Sequence, residues 1–447
     1  MLDGDDGKHH LKVNQKIDIH FADSSYKVEN KKIISHTESN WNISPSEIAS
    51  NTKNPIRQIC DSLFVPVNPQ KSLIKLNLGD PTISHALPVC ATAIKAVSDA
   101  LISRKYEGYG PAIGIQEARE AVAQYFTHPD APVIADSVIL TSGCSHAIKM
   151  AIEVLTNPGD NVLVPAPGFP LYSTFLKPLK VESRYYHHDL LNRGELDLIQ
   201  LESLIDNRTR AIIINNPSNP MGLVLSKDQL ESVLKIANEN RIPIIADEVY
   251  GTMTYNEAKF YPIATLKPKV PVLTCDGIAK RYLLPGWRLG WIIIHDRHGA
   301  FAHIRNSLID LAQNIVGPCT LIQAALPYIL QSTDAVFFQQ VNNIIYRNAR
   351  IVWESLHKIP GLHPLMSNGA MYMIIRIEQQ IYGTDESFVR DLLAEENVFC
   401  LPGCVFHCAG WLRLVLTYSE EETREACNRI RQFCLRRALH TLDQKNI

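Results

Sequence analysis

The sequence predicts an α/β fold in which a mainly parallel sheet lies between layers of helices, with a smaller lobe of mixed α+β character toward the C-terminus. Two observations predict it. Short apolar runs rich in valine and isoleucine alternate with longer stretches of helical periodicity, the order expected of strands joined by crossover helices. Small, polar and charged residues come directly after those runs, and in open parallel sheets ligands bind beyond the carboxyl ends of the strands.

Taken in order, residues 1–50 are polar and lysine-rich with little periodicity, and are expected to form a mobile arm. Residues 51–78 end in Leu76–Leu78 and the turn signal Gly79-Asp80-Pro81, after which Val89–Leu101 reads as a helix. The apolar runs Ser137–Leu140, Asn161–Val164, Ala211–Ile214, Ile242–Ala246 and Pro271–Thr274 have the length and β-branched content of buried strands. Between them, His146–Leu155 and Lys227–Asn238 carry an amphipathic helical pattern. From about Val336 a long helical stretch enters the second lobe, which continues through a strand at Trp411–Leu416 to a helix over Glu421–Leu439. The expected division is an arm at 1–50, a segment at 51–78 packing with the small domain, a large domain at 79–335 and a small domain at 336–447.

A chain of 447 residues that is 46% hydrophobic can bury a large core. Its formal net charge of -2 supplies no overall field for nucleic acid or an anionic membrane, so a small-molecule partner is expected. The ten cysteines form no framework of paired spacings, which fits a reducing compartment. The first fifty-six residues contain no arginine, begin with Asp3, Asp5 and Asp6, and hold no apolar stretch long enough for a signal peptide. The longest apolar runs, such as Trp291–Ile294, are far short of a membrane span. A cytoplasmic protein is the expectation.

The strand-like runs lead into Ser142-Gly143-Cys144-Ser145, then Asn215-Asn216-Pro217-Ser218-Asn219-Pro220, then Asp247-Glu248-Val249-Tyr250, then Asp276-Gly277-Ile278-Ala279-Lys280. Each has a plain structural reading. Asp247 can end a strand or cap a helix, Ser145 can be an N-cap, the prolines can simply make a loop, and a lysine after a strand is usually solvated. Arg413 is harder to dismiss, because it sits inside the apolar strand Leu412–Leu416 and a buried arginine is costly unless paired.

Together with Pro285-Gly286-Trp287-Arg288-Leu289-Gly290, these segments resemble the fold-type I pyridoxal phosphate-dependent aminotransferases, and the stretch from Gly277 to Trp291 and Asn54-Pro55-Ile56-Arg57 resemble the tyrosine aminotransferases among them. The resemblance runs from about Asn54 to the C-terminus. It implies a large domain with a mostly parallel seven-stranded sheet, and pyridoxal 5′-phosphate as cofactor. By the same resemblance Lys280 is the amine that links to the cofactor and then moves a proton between substrate and cofactor. Arg288 holds the phosphate through its fork of donors, with Gly143, Cys144 and Ser145 cradling it at a helix N-terminus. Asp247 faces the ring nitrogen and keeps it protonated. Tyr250 and Asn219 bond the phenolic oxygen, and Phe169 stacks on the ring. Arg413 grips the substrate α-carboxylate, aided by the backbone of Gly79.

The resemblance further implies a homodimer in which Tyr109 reaches the cofactor phosphate of the neighbouring subunit. It implies an aromatic amino acid as donor and a 2-oxo acid such as 2-oxoglutarate or pyruvate as acceptor. Arg57 is the candidate for an acceptor's distal carboxylate. Two positions depart from the family pattern: Met221 stands where a threonine is usual, and Gly277 where many members carry a phosphate-binding serine. An alanine-type aminotransferase and a C–S β-lyase use the same cofactor and lysine and stay open as alternatives. Glycines 108, 110 and 114 do not follow a strand and lack dinucleotide-binding spacing. Cys400, Cys404, His407 and Cys408 lack the paired spacing of a zinc site, so no metal is expected.

Overall fold

The computed structural model describes residues 43–445 apart from 64, 66 and 67. Most of the expected arm at 1–50 lies outside the described residues; at its end Glu47–Asn51 form a short helix capped by the Ser46 side chain. Contacts gather the described residues from Ser46 onward into one compact unit.

The strands Val138–Thr141, Asn161–Ala166, Ile244–Asp247 and Val272–Gly277 are buried at every position. Helices cover both faces of the sheet, so these strands read as continuous apolar runs rather than as alternating ones. From one edge to the other, the order is Val138–Thr141, Gly290–His295, Val272–Gly277, Ile244–Asp247, Thr209–Asn215, Asn161–Ala166, Glu182–Asp189 and Glu195–Leu196. Gly290–His295 runs antiparallel to both of its neighbours. From Val272–Gly277 through Glu182–Asp189 the pairing is parallel. Seven strands thus make the expected sheet, and Glu195–Leu196 extends its edge through a turn in which the Asp189 carbonyl accepts from the N–H groups of Asn192 and Gly194. Two residues are too few to leave a hydropathy signal.

The helix Cys144–Leu155 buries Ala147, Ile148, Ala151 and Ile152, a stripe at helical spacing, and packs on the three adjacent strands ending at Asp247, Gly277 and His295. Lys227–Asn240 begins with a capping box between Ser226 and Gln229 and buries Leu230, Val233, Leu234 and Ala237; such a cap is worth about 1 kcal/mol.

The second lobe is a four-stranded sheet in the order Leu362–Leu365, Tyr372–Ile377, Trp411–Val415, Leu401–Pro402, antiparallel throughout. The helices Ala335–Leu356 and Glu420–Lys445 pack against each other beside it. Ile74–Lys75 pairs parallel with Val398–Phe399, the Asn397 amide donates to the Asn68 and Lys71 carbonyls at 2.8 and 2.6 Å, and Arg429 donates to the Ser72 carbonyl at 2.7 Å. These bonds tie residues 68–75 to this lobe immediately before the chain reaches Gly79 at the large sheet. Among the described residues no helix is long and apolar enough to cross a membrane.

Candidate active site

A cavity of about 350 Å³ opens at the carboxyl ends of the parallel strands. Gly79, Cys144, Ser145, Phe169, Asn219, Asp247, Tyr250, Lys280, Arg288 and Arg413 line it, as does the exposed Arg57 on the helix Pro55–Ser62. Of the residues singled out in the sequence, Gly143 lies just behind this wall as the N-cap of Cys144–Leu155. Tyr109 is elsewhere: it is 94% exposed and does not line the cavity.

One end of the cavity is built for an anion. No side chain caps the helix Cys144–Leu155, so the N–H groups of its first turn and the positive end of its dipole point outward. Gly143 has φ +79°, and a Cβ there would lie 2.5 Å from an Arg288 guanidinium nitrogen. Gly290 allows a second close approach, since a Cβ on it would lie 2.6 Å from the Cys144 nitrogen. Arg288 donates to the carbonyls of Pro285 and Ser142 at 2.9 and 3.2 Å. No carboxylate among the described residues pairs with it. A serine in place of Gly277 would be tight, because its Cβ would meet the Leu289 carbonyl at 2.7 Å.

The cavity wall also carries a buried carboxylate. Asp247, only 3% exposed, accepts from the Tyr172 hydroxyl at 2.7 Å on one oxygen and from the Cys144 thiol at 3.7 Å on the other. Burial pushes its carboxyl up to about 6, against the pull of the Tyr172 hydroxyl and the Val249 N–H. No cation among the described residues pairs with it.

Lys280 sits on the single helical turn Ile278–Arg281 and donates to the Gly79 carbonyl. Loss of water around its ammonium lowers it to about 8; Asp80 opposes the fall, while Arg413 and Arg288 add to it. A lysine so poised has an appreciable neutral fraction near pH 7, as an amine nucleophile or base needs. The turn is held from behind by the buried ion pair of Asp276 with Arg281.

Arg413 is 2% exposed and donates to the Asn77 carbonyl at 2.5 Å and the Asn219 side-chain oxygen at 3.0 Å. Its guanidinium lies between the rings of Tyr372 and Phe406, 4.4 and 4.7 Å from their centres. Its Nε has no hydrogen-bond partner, and no carboxylate among the described residues pairs with it. Since Arg413 fixes the orientation of the Asn219 amide, the amide NH₂ is left to donate elsewhere. The Tyr250 hydroxyl meets the Tyr372 hydroxyl at 2.8 Å.

Charge complementarity tests the fit of a pyridoxal phosphate. Among the described residues, a buried carboxylate that no cation pairs, a helix N-terminus with an arginine that no carboxylate pairs, and a buried arginine that no carboxylate pairs all line or adjoin one cavity that holds a lysine. A ring carrying a protonated nitrogen at one end and a phosphate at the other satisfies the first two, and an amino acid carboxylate satisfies the third. The residues fit the group. Sequence reasoning does not single out Tyr172, Tyr372 or Asn77. The one signal for Tyr172 is a hydroxyl three residues beyond Phe169, whose ring it meets edge-on at 5.9 Å.

Comparison with known proteins agrees with this geometry. Residues 71–430 match the model of the family described as aminotransferase class I and II. A tyrosine aminotransferase of Caenorhabditis elegans is 47% identical over 89% of this chain and 86% of its own length, and that of Homo sapiens is 46% identical over 88% of each. The crystal structure of a tyrosine aminotransferase from Leishmania infantum superposes with a TM-score of 0.85 at 30% identity, covering 89% of this chain and 99% of that one. With the family model spanning most of the chain and the lysine, carboxylate and arginine gathered at one sheet edge, the chain belongs to the class I and II aminotransferases.

Proposed function

We propose that this chain moves the amino group of an aromatic L-amino acid to a 2-oxo acid such as 2-oxoglutarate or pyruvate, using pyridoxal 5′-phosphate, as a cytoplasmic homodimer. The observation that carries the reading is the set of charges around Lys280 that no described residue compensates: Asp247 without a cation and Arg413 without a carboxylate, both lining one cavity. The identity with tyrosine aminotransferases supports the aromatic donor. So do the apolar side chains of Ile56, Leu78, Leu171 and Pro285 in the cavity wall, which suit a ring.

When bound, pyridoxal phosphate supplies a carbon that condenses with amines and a ring that takes up the electron pair released when the substrate Cα–H bond breaks. The chain does the rest. Arg288 and the N–H groups of Cys144 and Ser145 hold the phosphate, and Asp247 keeps a proton on the ring nitrogen. The Asn219 amide and the Tyr250 hydroxyl donate to the phenolic oxygen, with Tyr372 donating to Tyr250 in turn. Arg413 clamps the α-carboxylate in its fork and thereby aims the Cα proton at Lys280, whose neutral amine removes it and returns it on the other side of the transfer. Arg57 receives the distal carboxylate of a dicarboxylic acceptor, and Tyr109 reaches the partner subunit's phosphate. Donor and acceptor use the same cavity in turn, so the kinetics are ping-pong.

The test is an absorbance spectrum of the protein loaded with cofactor, native and Lys280→Ala, before and after L-tyrosine without oxo acid. The native visible band disappears with tyrosine and the variant's does not. If the native band is unmoved by tyrosine, the aromatic donor is wrong. Release of ammonia instead of amino transfer points to a lyase.

A further inference from the structure

We infer that Tyr172 and Cys144 are positioning residues that hold both oxygens of Asp247 against the cofactor's ring nitrogen, so that Cys144 serves both ends of the cofactor: its backbone the phosphate, its thiol the ring. This rests on the reading that the cavity takes pyridoxal phosphate. The geometry is direct. The Tyr172 hydroxyl reaches one carboxylate oxygen at 2.7 Å and the Cys144 thiol reaches the other at 3.7 Å. Both side chains are buried, Tyr172 at 1% and Cys144 at 8% exposure, and burial keeps both in their protonated, donating forms. The two donors come from different elements, the helices Leu171–Leu176 and Cys144–Leu155. The carboxylate cannot rotate without losing one of them.

Such an arrangement has a chemical purpose, because everything else around Asp247 favours a proton on it. Burial, and behind it the charge of Asp276, push its carboxyl toward the neutral acid. A neutral Asp247 cannot hold a positive charge on the ring nitrogen, and the ring then accepts the Cα electron pair poorly. Tyr172, Cys144 and the Val249 N–H at 3.4 Å are the groups that oppose this. They let one buried carboxylate stay ionised beside two acidic neighbours, Asp276 and Glu248.

The test is nitrogen-15 NMR of protein reconstituted with pyridoxal phosphate labelled at the ring nitrogen, in the native chain and in Tyr172→Phe, Cys144→Ala and Cys144→Ser. The native resonance is expected in the protonated range, moved toward the neutral-ring position by Tyr172→Phe and, less far, by Cys144→Ala. Cys144→Ser, which keeps a donor, restores most of the shift. Loss of one hydrogen bond to a charged group predicts that Tyr172→Phe lowers kcat by about 10- to 100-fold, with KM for tyrosine nearly unchanged, because Arg413 still binds the substrate. A purely structural role for Tyr172 lowers thermal stability and leaves the resonance in place. That result, in folded variants that still bind the label, overturns the inference while the cofactor reading stands. A native chain that takes up no labelled cofactor overturns both.

Discussion

Replacing Arg413 by methionine separates binding from stability. In the folded chain Arg413 is buried with two hydrogen bonds, to the Asn77 carbonyl and the Asn219 side chain, an orphaned Nε and no carboxylate partner among the described residues. A substrate carboxylate in its fork makes two parallel charge-assisted bonds, each worth about 1.5–3 kcal/mol. Their loss is therefore expected to lower kcat/KM for tyrosine by about 10²- to 10⁴-fold. Stability responds differently. Methionine forfeits two internal hydrogen bonds and the contacts with the Tyr372 and Phe406 rings, yet it also removes a buried charge whose dehydration costs several kcal/mol. The two nearly cancel, so unfolding of the cofactor-free protein should shift by less than about 2 kcal/mol. The assay is steady-state kcat/KM for tyrosine at saturating oxo acid, with urea unfolding alongside. Tyramine, which has the ring and amine without the carboxylate, is the control in a single half-reaction. A loss smaller than tenfold for tyrosine, or an equal loss for tyramine, refutes the assignment of Arg413 to the carboxylate.

Three further outcomes are expected. Capture of cofactor needs the neutral amine of Lys280, lowered to about 8 by burial, so the reconstitution rate should rise about tenfold per pH unit and level off above pH 8, as followed by stopped-flow absorbance; a profile flat from pH 6 to 8 removes that role. Burial raises the Glu248 carboxyl from 4.5 to about 8, so the folded state keeps a proton that the unfolded state releases, and stability is lost as pH rises through that window. In Glu248→Gln, urea unfolding of the cofactor-free protein between pH 5 and 8 should lose that slope. Gly290→Ala places a Cβ 2.6 Å from the Cys144 nitrogen and should weaken cofactor binding about tenfold or more, as read by equilibrium dialysis, while Gly286→Ala, with nothing within 4 Å, leaves it unchanged.

The sequence by itself determined the class of fold, the order of the main strands along the chain and most of the wall of the site. It could do so because strands covered on both faces must be apolar at nearly every position, and because the residues that act at a sheet edge come within a few positions of their strands, as Asp247 follows Ile244–Ala246 and Lys280 follows Val272–Gly277. Periodicity is a local signal, and these features are local. The tertiary structure alone decided which groups meet. Tyr172 and Asp247 are 75 residues apart and Arg413 and Asn219 are 194 apart. No spacing announces these contacts, because they arise from the order in which strands pair and from how the second lobe closes over the first. Glu182–Asp189, half-exposed along one face, and the two-residue Glu195–Leu196 leave too little apolar contrast to be read as strands. The charge states at the site belong to the same class. Lys280 and Asp247 are ordinary side chains in sequence, and removal of water, which penalises the charged form of each, is the largest cause that brings one down to about 8 and the other up to about 6, with the charges the fold gathers around them adding to it.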